Sequence, residues 1–185
     1  MGSHIWAPEL HYIDGKWYIY FAAGESENIW EIRPYVLECA DADPLNGKWT
    51  EMGMMQALTP PDENTINGYD RYSFTDFSLD MTTFEHRGRR YCIWAEKVGR
   101  RFGISNLYIA EMSAPNKLKT VQVLLCTPDY DWERIDFWVC EGPAVLNHDG
   151  KIFVTYPASA TAHMYCMGML SADANAALFA PDSWT

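Results

Sequence analysis

Three acidic residues stand at matching places in this 185-residue sequence. Glu9 lies in Trp6-Ala-Pro-Glu-Leu-His11, Asp80 in Phe77-Ser-Leu-Asp-Met-Thr-Thr-Phe84, and Glu141 in Cys140-Glu-Gly-Pro-Ala144. Each opens a hydrophobic, strand-like run, where a carboxylate is costly unless it has a partner or a task. Hydrogen-bonded structural acids, or solvated strand ends, account for any one of them. All three at equivalent positions also fit acid chemistry on sugars. That chemistry needs two carboxyl groups flanking the scissile bond, one protonated and one ionised. Neighbouring carboxylates help to keep one of the pair protonated near neutral pH.

The elements that must position these acids repeat along the chain. An apolar strand, a tight turn with Gly and an aromatic or β-branched strand occur three times. The copies are Pro8 to Gly15 leading into Trp17–Phe21, Thr83 to Gly88 into Tyr91–Trp94, and Pro143 to Gly150 into Ile152–Tyr156. Their glycines fall at 15, 88 and 150, in steps of 73 and 62 residues. Asp14-Gly15 and Asp149-Gly150 are hairpin signals, because type I′ turns need positive φ at both central residues. A third strand follows each hairpin, at Tyr35–Cys39, Leu107–Glu111 and Tyr165–Leu170, and a fourth follows twice, at Trp49–Met52 and Thr120–Leu125. Four-stranded antiparallel units at this spacing predict propeller blades, with a sandwich of stacked hairpins as the alternative. Helical periodicity is weak, and only Ala172–Leu178 has room for a short helical turn. Three blades do not close a ring, so open faces call for further blades as a second fragment or for self-association.

Composition bounds the partners. At 48% hydrophobic and 15% aromatic, the chain is neither disordered nor fibrous. The net charge of −11, with the longest basic cluster at Arg87, Arg89 and Arg90, argues against nucleic acid and anionic membranes. A neutral carbohydrate is compatible. No apolar run is long enough to span a bilayer. Five cysteines, an odd number without a C-x-x-C pair, read as small buried hydrophobes in a reducing compartment, which suggests a cytoplasmic setting. Residues 1–4 read as an expression scar joined inside a fold, which leaves the native N-terminus, and any address it carried, unread.

The string Trp6-Ala-Pro-Glu-Leu-His-Tyr-Ile-Asp-Gly-Lys-Trp-Tyr-Ile-Tyr-Phe21 resembles the second blade of family 43 glycoside hydrolases. Ser78-Leu-Asp-Met-Thr-Thr-Phe84 is similar to that family's third blade, and Glu141-Gly-Pro143 to its fourth. Glu141-Gly-Pro-Ala-Val-Leu146 and Ala158-Ser-Ala-Thr161 look most like α-L-arabinofuranosidases. The resemblance implies an all-β fold: a partial five-bladed β-propeller of about three four-stranded antiparallel blades, roughly 5–58, 70–126 and 136–185. It implies cleavage of terminal α-L-arabinofuranosyl residues from arabinan- or arabinoxylan-type substrates with inversion. A β-xylosidase, an endo-arabinanase or a non-catalytic carbohydrate-binding propeller are the alternatives.

By the same resemblance Glu141 is the general acid, and Asp80 orients it and raises its pKa. They lie one repeat apart, as adjacent inner strands require. The family's general base, an Asp of the first blade, has no counterpart here, so the segment by itself is expected to be inactive. A fifth-blade His, used at a central cation, is also missing. Calcium is therefore an expectation for a complete propeller, and no metal or other cofactor is expected within this chain.

Trp6, Phe77, Trp94 and Trp138 are candidates for stacking on a sugar, or for the core. Trp6 and Phe77, nearest the acids, are the preferred substrate-facing pair, with Glu9 as a third contact. Asp76 is an alternative to Asp80. His11, His86, His148 and His163 lack metal-ligand spacing and read as surface residues. Glu96-Lys97 and Asp131-Trp-Glu-Arg134 read as loop charges, the latter able to border the cleft ahead of Glu141.

Overall fold

The structure, a computed structural model, describes residues 4–24, 27–28, 30–58, 65–66, 69–70, 74–75, 77–99 and 103–185. Antiparallel strands dominate it. β1 (Trp6–Ile13), β2 (Lys16–Gly24), β3 (Ile32–Cys39) and β4 (Trp49–Met54) form a four-stranded sheet in chain order. A short ribbon, β5 (Thr65–Ile66) with β6 (Tyr69–Asp70), precedes the second sheet. There β7 (Ser78–His86), β8 (Arg89–Val98) and β9 (Ile104–Ala114) lie side by side, and the outer edge of β9 carries both β10 (Lys117–Leu118) and β11 (Val123–Cys126). The third sheet is β12 (Ala144–His148), β13 (Lys151–Ala158) and β14 (Cys166–Asp173).

The inner hairpin of every sheet turns in the same way. Asp14 and Gly15 have φ of 49° and 85°, Arg87 and Gly88 52° and 71°, Asp149 and Gly150 46° and 74°. Both central residues are left-handed in each case, which matches the twist of the strands they join. The middle turn reaches this geometry with an arginine, so its sequence signal is the weakest of the three. The fourth strand of the second sheet lies at Val123–Cys126, later than expected. No helical turn forms at Ala172–Leu178: β14 runs through Asp173, whose Oδ1 then accepts the Asn175 amide at 2.7 Å.

Alternation along the central sheet explains how the layers stack. Cys92 and Trp94 point to one face of β8 and pack with Ile13, Tyr18, Tyr20 and Met81, between the first and second sheets. Tyr91, Ile93 and Ala95 point to the other and pack with Ile152, Val154, Tyr156 and Ala158, between the second and third. Period-two patterning puts successive side chains on opposite faces, so a strand with apolar residues on both must be covered on both. The face-to-face stack leaves β1, β7 and β12, the first strand of each sheet, next to one another, since β7 contacts both of the others.

Candidate functional site

Asp80 does not follow the regular strand. Its φ is 56°, and the pairing of β7 with β8 shifts between Leu79 and Thr82. Such a bulge re-aims a side chain out of the pleat. Asp80 Oδ2 accepts the Gly142 amide hydrogen at 2.9 Å, across to the segment entering β12. On the other side of that segment, Glu141 donates its own amide to Pro157 O at 3.0 Å. Glycine is favoured at the residue that donates to Asp80: Gly142 has φ of 52°, and a Cβ there would lie 3.0 Å from Pro157 Cγ and 4.0 Å from Asp80 Oδ2. Two hydrogen bonds, one to the Asp80 side chain and one to the Pro157 carbonyl, therefore hold the segment at Glu141 between β7 and β13.

Electrostatics follow from this closeness. Burial, and then the Glu141 charge, push the Asp80 carboxyl up to about 6, against the Gly142 hydrogen bond. Burial also raises Glu141, opposed by Tyr165, whose hydroxyl donates to Glu141 Oε1 at 2.6 Å. The neighbouring Glu141 charge thus makes Asp80 retain its proton to higher pH, while for Glu141 burial has this effect. One oxygen of Glu141 is fixed by a phenol. Tyr165 itself is raised by burial and by Glu141, and stays a donor.

Glu9 is tied to the same strand. Its Oε1 accepts the Thr82 hydroxyl at 2.9 Å, two residues beyond Asp80, and lies 3.0 Å from His11 Nε2. Trp6 and Phe77 form an edge-to-face pair with ring centroids 6.2 Å apart, and Phe77 meets Trp30 at 5.3 Å. Lys97 Nζ lies 5.1 Å above the Trp30 ring. Both members of the preferred pair are half-buried against the core. Trp94 is a core residue, fully buried, with its indole N–H donated to Glu96 Oε2 at 2.8 Å. Trp138 is 46% exposed, with the Arg134 guanidinium 5.2 Å from its ring. Asp76 lies outside the described residues.

Several expectations need correction. Glu96 and Lys97 belong to β8, and Glu96 is buried. Glu133 is no loop charge: it is fully buried in a 3-10 turn, Asp131–Glu133, accepting from the Asp129 and Tyr130 amides and from the Tyr156 hydroxyl. His11 is half-buried and packs edge-on against Tyr20, with centroids 5.6 Å apart. Of the cysteines, Cys166 is exposed and Cys126 only half-buried. The sequence reading also passed over Gly142 and Tyr165. Gly142 was signalled by the Glu-Gly-Pro run, whereas Tyr165, 24 residues from its partner, had no local signal.

Calcium takes oxygen ligands, carboxylates and carbonyls above all. Among the described residues, the one grouping of three His, Cys, Asp or Glu donors is Cys126, Glu133 and Cys140, all within 4.8 Å of one another. Two of its three donors are sulfur, so these residues do not fit calcium.

Stacked antiparallel sheets with a carboxyl pair near the starts of neighbouring inner strands have the layout of a sugar-cleaving propeller. The profile of "Glycosyl hydrolases family 43" matches residues 1–185, the four terminal residues included, and the chain belongs to this family. It is 45% identical over its whole length to "Extracellular exo-alpha-(1->5)-L-arabinofuranosidase" of Streptomyces chartreusis, of which it covers 52%. It is 47% identical over 98% of its length to "Alpha-L-arabinofuranosidase 43" of Humicola insolens, of which it covers 35%. The crystal structure of an alpha-L-arabinofuranosidase from Lactobacillus brevis superposes with a TM-score of 0.84 at 46% identity, over 98% of this chain and 53% of that one. The fold is thus a partial β-propeller, and the chain spans between about a third and just over half of the length of these relatives. The word extracellular in a relative's name runs against the reducing compartment inferred from the cysteines.

Proposed function

We propose that this chain carries the acid half of the active site of an inverting α-L-arabinofuranosidase, with its three sheets as consecutive blades at roughly 5–58, 70–126 and 136–185. Glu141 protonates the leaving oxygen. Asp80 orients it through Gly142 and, by its charge, keeps it protonated longer. Trp6, Phe77 and Glu9 contact the arabinofuranosyl unit, and the ionised partner that activates water comes from outside these 185 residues. The single observation behind this reading is the Asp80–Gly142 hydrogen bond, which brings acids 61 residues apart in sequence to one place with coupled ionisation. Arabinose-containing chains as substrate, and work outside the cell, follow from the names of the relatives.

The test uses a chain of the relatives' length containing this segment. Glu141→Gln is expected to lower kcat/KM on an aryl α-L-arabinofuranoside by about 10²–10⁴-fold. Proton NMR of the first-formed sugar is expected to show the inverted anomer. An unchanged rate removes Glu141 from the role of acid, and faster turnover of a β-xyloside reassigns the sugar.

A further inference from the structure

Directly behind the proposed acid sits a pair of thiols that the hydrolytic reading does not use. Cys140, the residue before Glu141, is fully buried, and its Sγ lies 3.6 Å from Cys126 Sγ. The backbone explains the meeting. Cys126 ends β11 and pairs with Leu107 on the outer edge of β9. Farther along that edge, a parallel bridge sets Val139 against Ser105, with Ser105 N donating to Trp138 O and Cys140 N donating to Ser105 O. Cys140 is thereby level with Asn106, one residue short of the partner of Cys126. One strand edge thus receives two segments in succession, and a cysteine stands on each side of the junction.

We propose that Cys126 and Cys140 are an oxidative modification site that closes as an intramolecular disulfide. The sulfurs need to approach by about 1.5 Å to reach the bonded distance of about 2.05 Å. The reactivities are divided. The neighbouring Cys126 thiol, burial and the Glu133 and Asp129 charges all push the Cys140 thiol up, so it stays protonated and does not start the exchange. Half-buried Cys126 is the sulfur that meets an oxidant. With a low-molecular-weight disulfide, the Cys126 thiolate attacks one sulfur and releases one small thiol, leaving a mixed disulfide. Cys140 then gives up its proton and attacks Cys126 Sγ, and the departing small thiolate takes a proton. Two protein thiols become one disulfide, and the reagent accepts two electrons and two protons as two thiols.

The bond closes a loop with a sequence separation of 14 residues, which contains the Asp131–Glu133 turn. It ties the last strand of the second sheet to the segment that presents Glu141. Closing such a loop restricts the unfolded chain and stabilises the folded one.

The experiment takes the 185-residue chain with Cys166→Ser, which removes the exposed competing thiol, and treats it with oxidised glutathione under native conditions. Peptide mapping without reduction should find Cys126 and Cys140 joined, with the intact mass lower by two hydrogens. The thermal midpoint should rise by about 5–10 °C and fall back on reduction. Adding Cys140→Ser should leave a glutathione adduct on Cys126 and no midpoint gain. Adducts at Cys126 without closure in the Cys140-containing protein, cross-links to Cys39 or Cys92, or an unchanged mass would overturn the proposal. So would retention of one equivalent of zinc that blocks oxidation, since the pair would then be a metal site.

Discussion

At the scale of single residues, the site works through two opposed effects on ionisation. Asp80 has its carboxyl pushed up to about 6 by burial and by Glu141. A carboxyl with a folded pKa above its unfolded value of 3.8 makes folding less favourable as pH rises through that interval. Its protonated form is the one the fold favours, so the penalty is absent below about pH 4 and complete above about pH 6. Asp80→Asn, which keeps an acceptor for the Gly142 amide, should therefore raise stability at pH 7.5 by up to about 2 kcal/mol. The gain should vanish at pH 4. Urea unfolding at the two pH values checks both the size and the sign. Tyr165 acts the other way on Glu141, and Tyr165→Phe removes the only donor described for that carboxylate among the described residues. The Glu141 side chain, followed by carbon-13 NMR, should then titrate at higher pH, since the phenol's hydrogen bond favours the ionised form. No change would mean that the phenol spends little time on the acid in solution.

At the scale of the elements, the segment between the second and third sheets carries more than its irregular shape suggests. Gly142 is left-handed and wedged against Pro157. Gly142→Ala should cost about 1–2 kcal/mol in unfolding experiments, from the positive φ and the crowding together. It should also displace the amide that fixes Asp80, which kcat on a chain of full family length would report. A few residues earlier, Glu133 is a buried carboxyl group held by three donors. Glu133→Ala leaves two amides and a phenol without an acceptor, and a loss of about 3 kcal/mol or more is expected by chemical denaturation. A loss below about 1 kcal/mol would show that water replaces the carboxylate.

At the scale of the whole molecule, the third sheet has two unlike faces. Ile152, Val154, Tyr156 and Ala158 on β13 are buried against the second sheet. On the opposite face the strand register places Leu146, Phe153, Met167 and Met169, and Met167 is 66% exposed. An apolar sheet face of this kind marks a contact surface. Another blade, or a second copy of this segment, is expected to cover it. Sedimentation velocity of the 185-residue chain should show association that grows with concentration. Leu146→Lys combined with Met169→Lys should weaken it at least about tenfold. A monomer at every concentration, with or without the lysines, would show that the face stays open without self-association.

The hairpins, the order of the strands and the layered β architecture were legible in the residues, because turn chemistry and period-two alternation are local properties. The Asp14-Gly15 and Asp149-Gly150 turns are where their φ requirements place them, and Glu9, Asp80 and Glu141 are legible as polar intrusions near the start of each inner strand, though they stand 6, 8 and 9 residues before their hairpin glycines and are not equivalent in register. Their partners were not legible. Tyr165 reaching Glu141, Thr82 reaching Glu9 and Cys126 meeting Cys140 depend on which strand edges lie against which loops, and no spacing in the chain encodes that. Burial behaved similarly: Glu96 and Glu133 look like surface charges in sequence, since charge alone does not reveal whether donors converge on it. Sequence alone determined which residues could carry charge, bend the chain or fill a core. Packing of sheet on sheet decided which of those charges lose their water, and desolvation by neighbours is what turns a carboxylate into an acid.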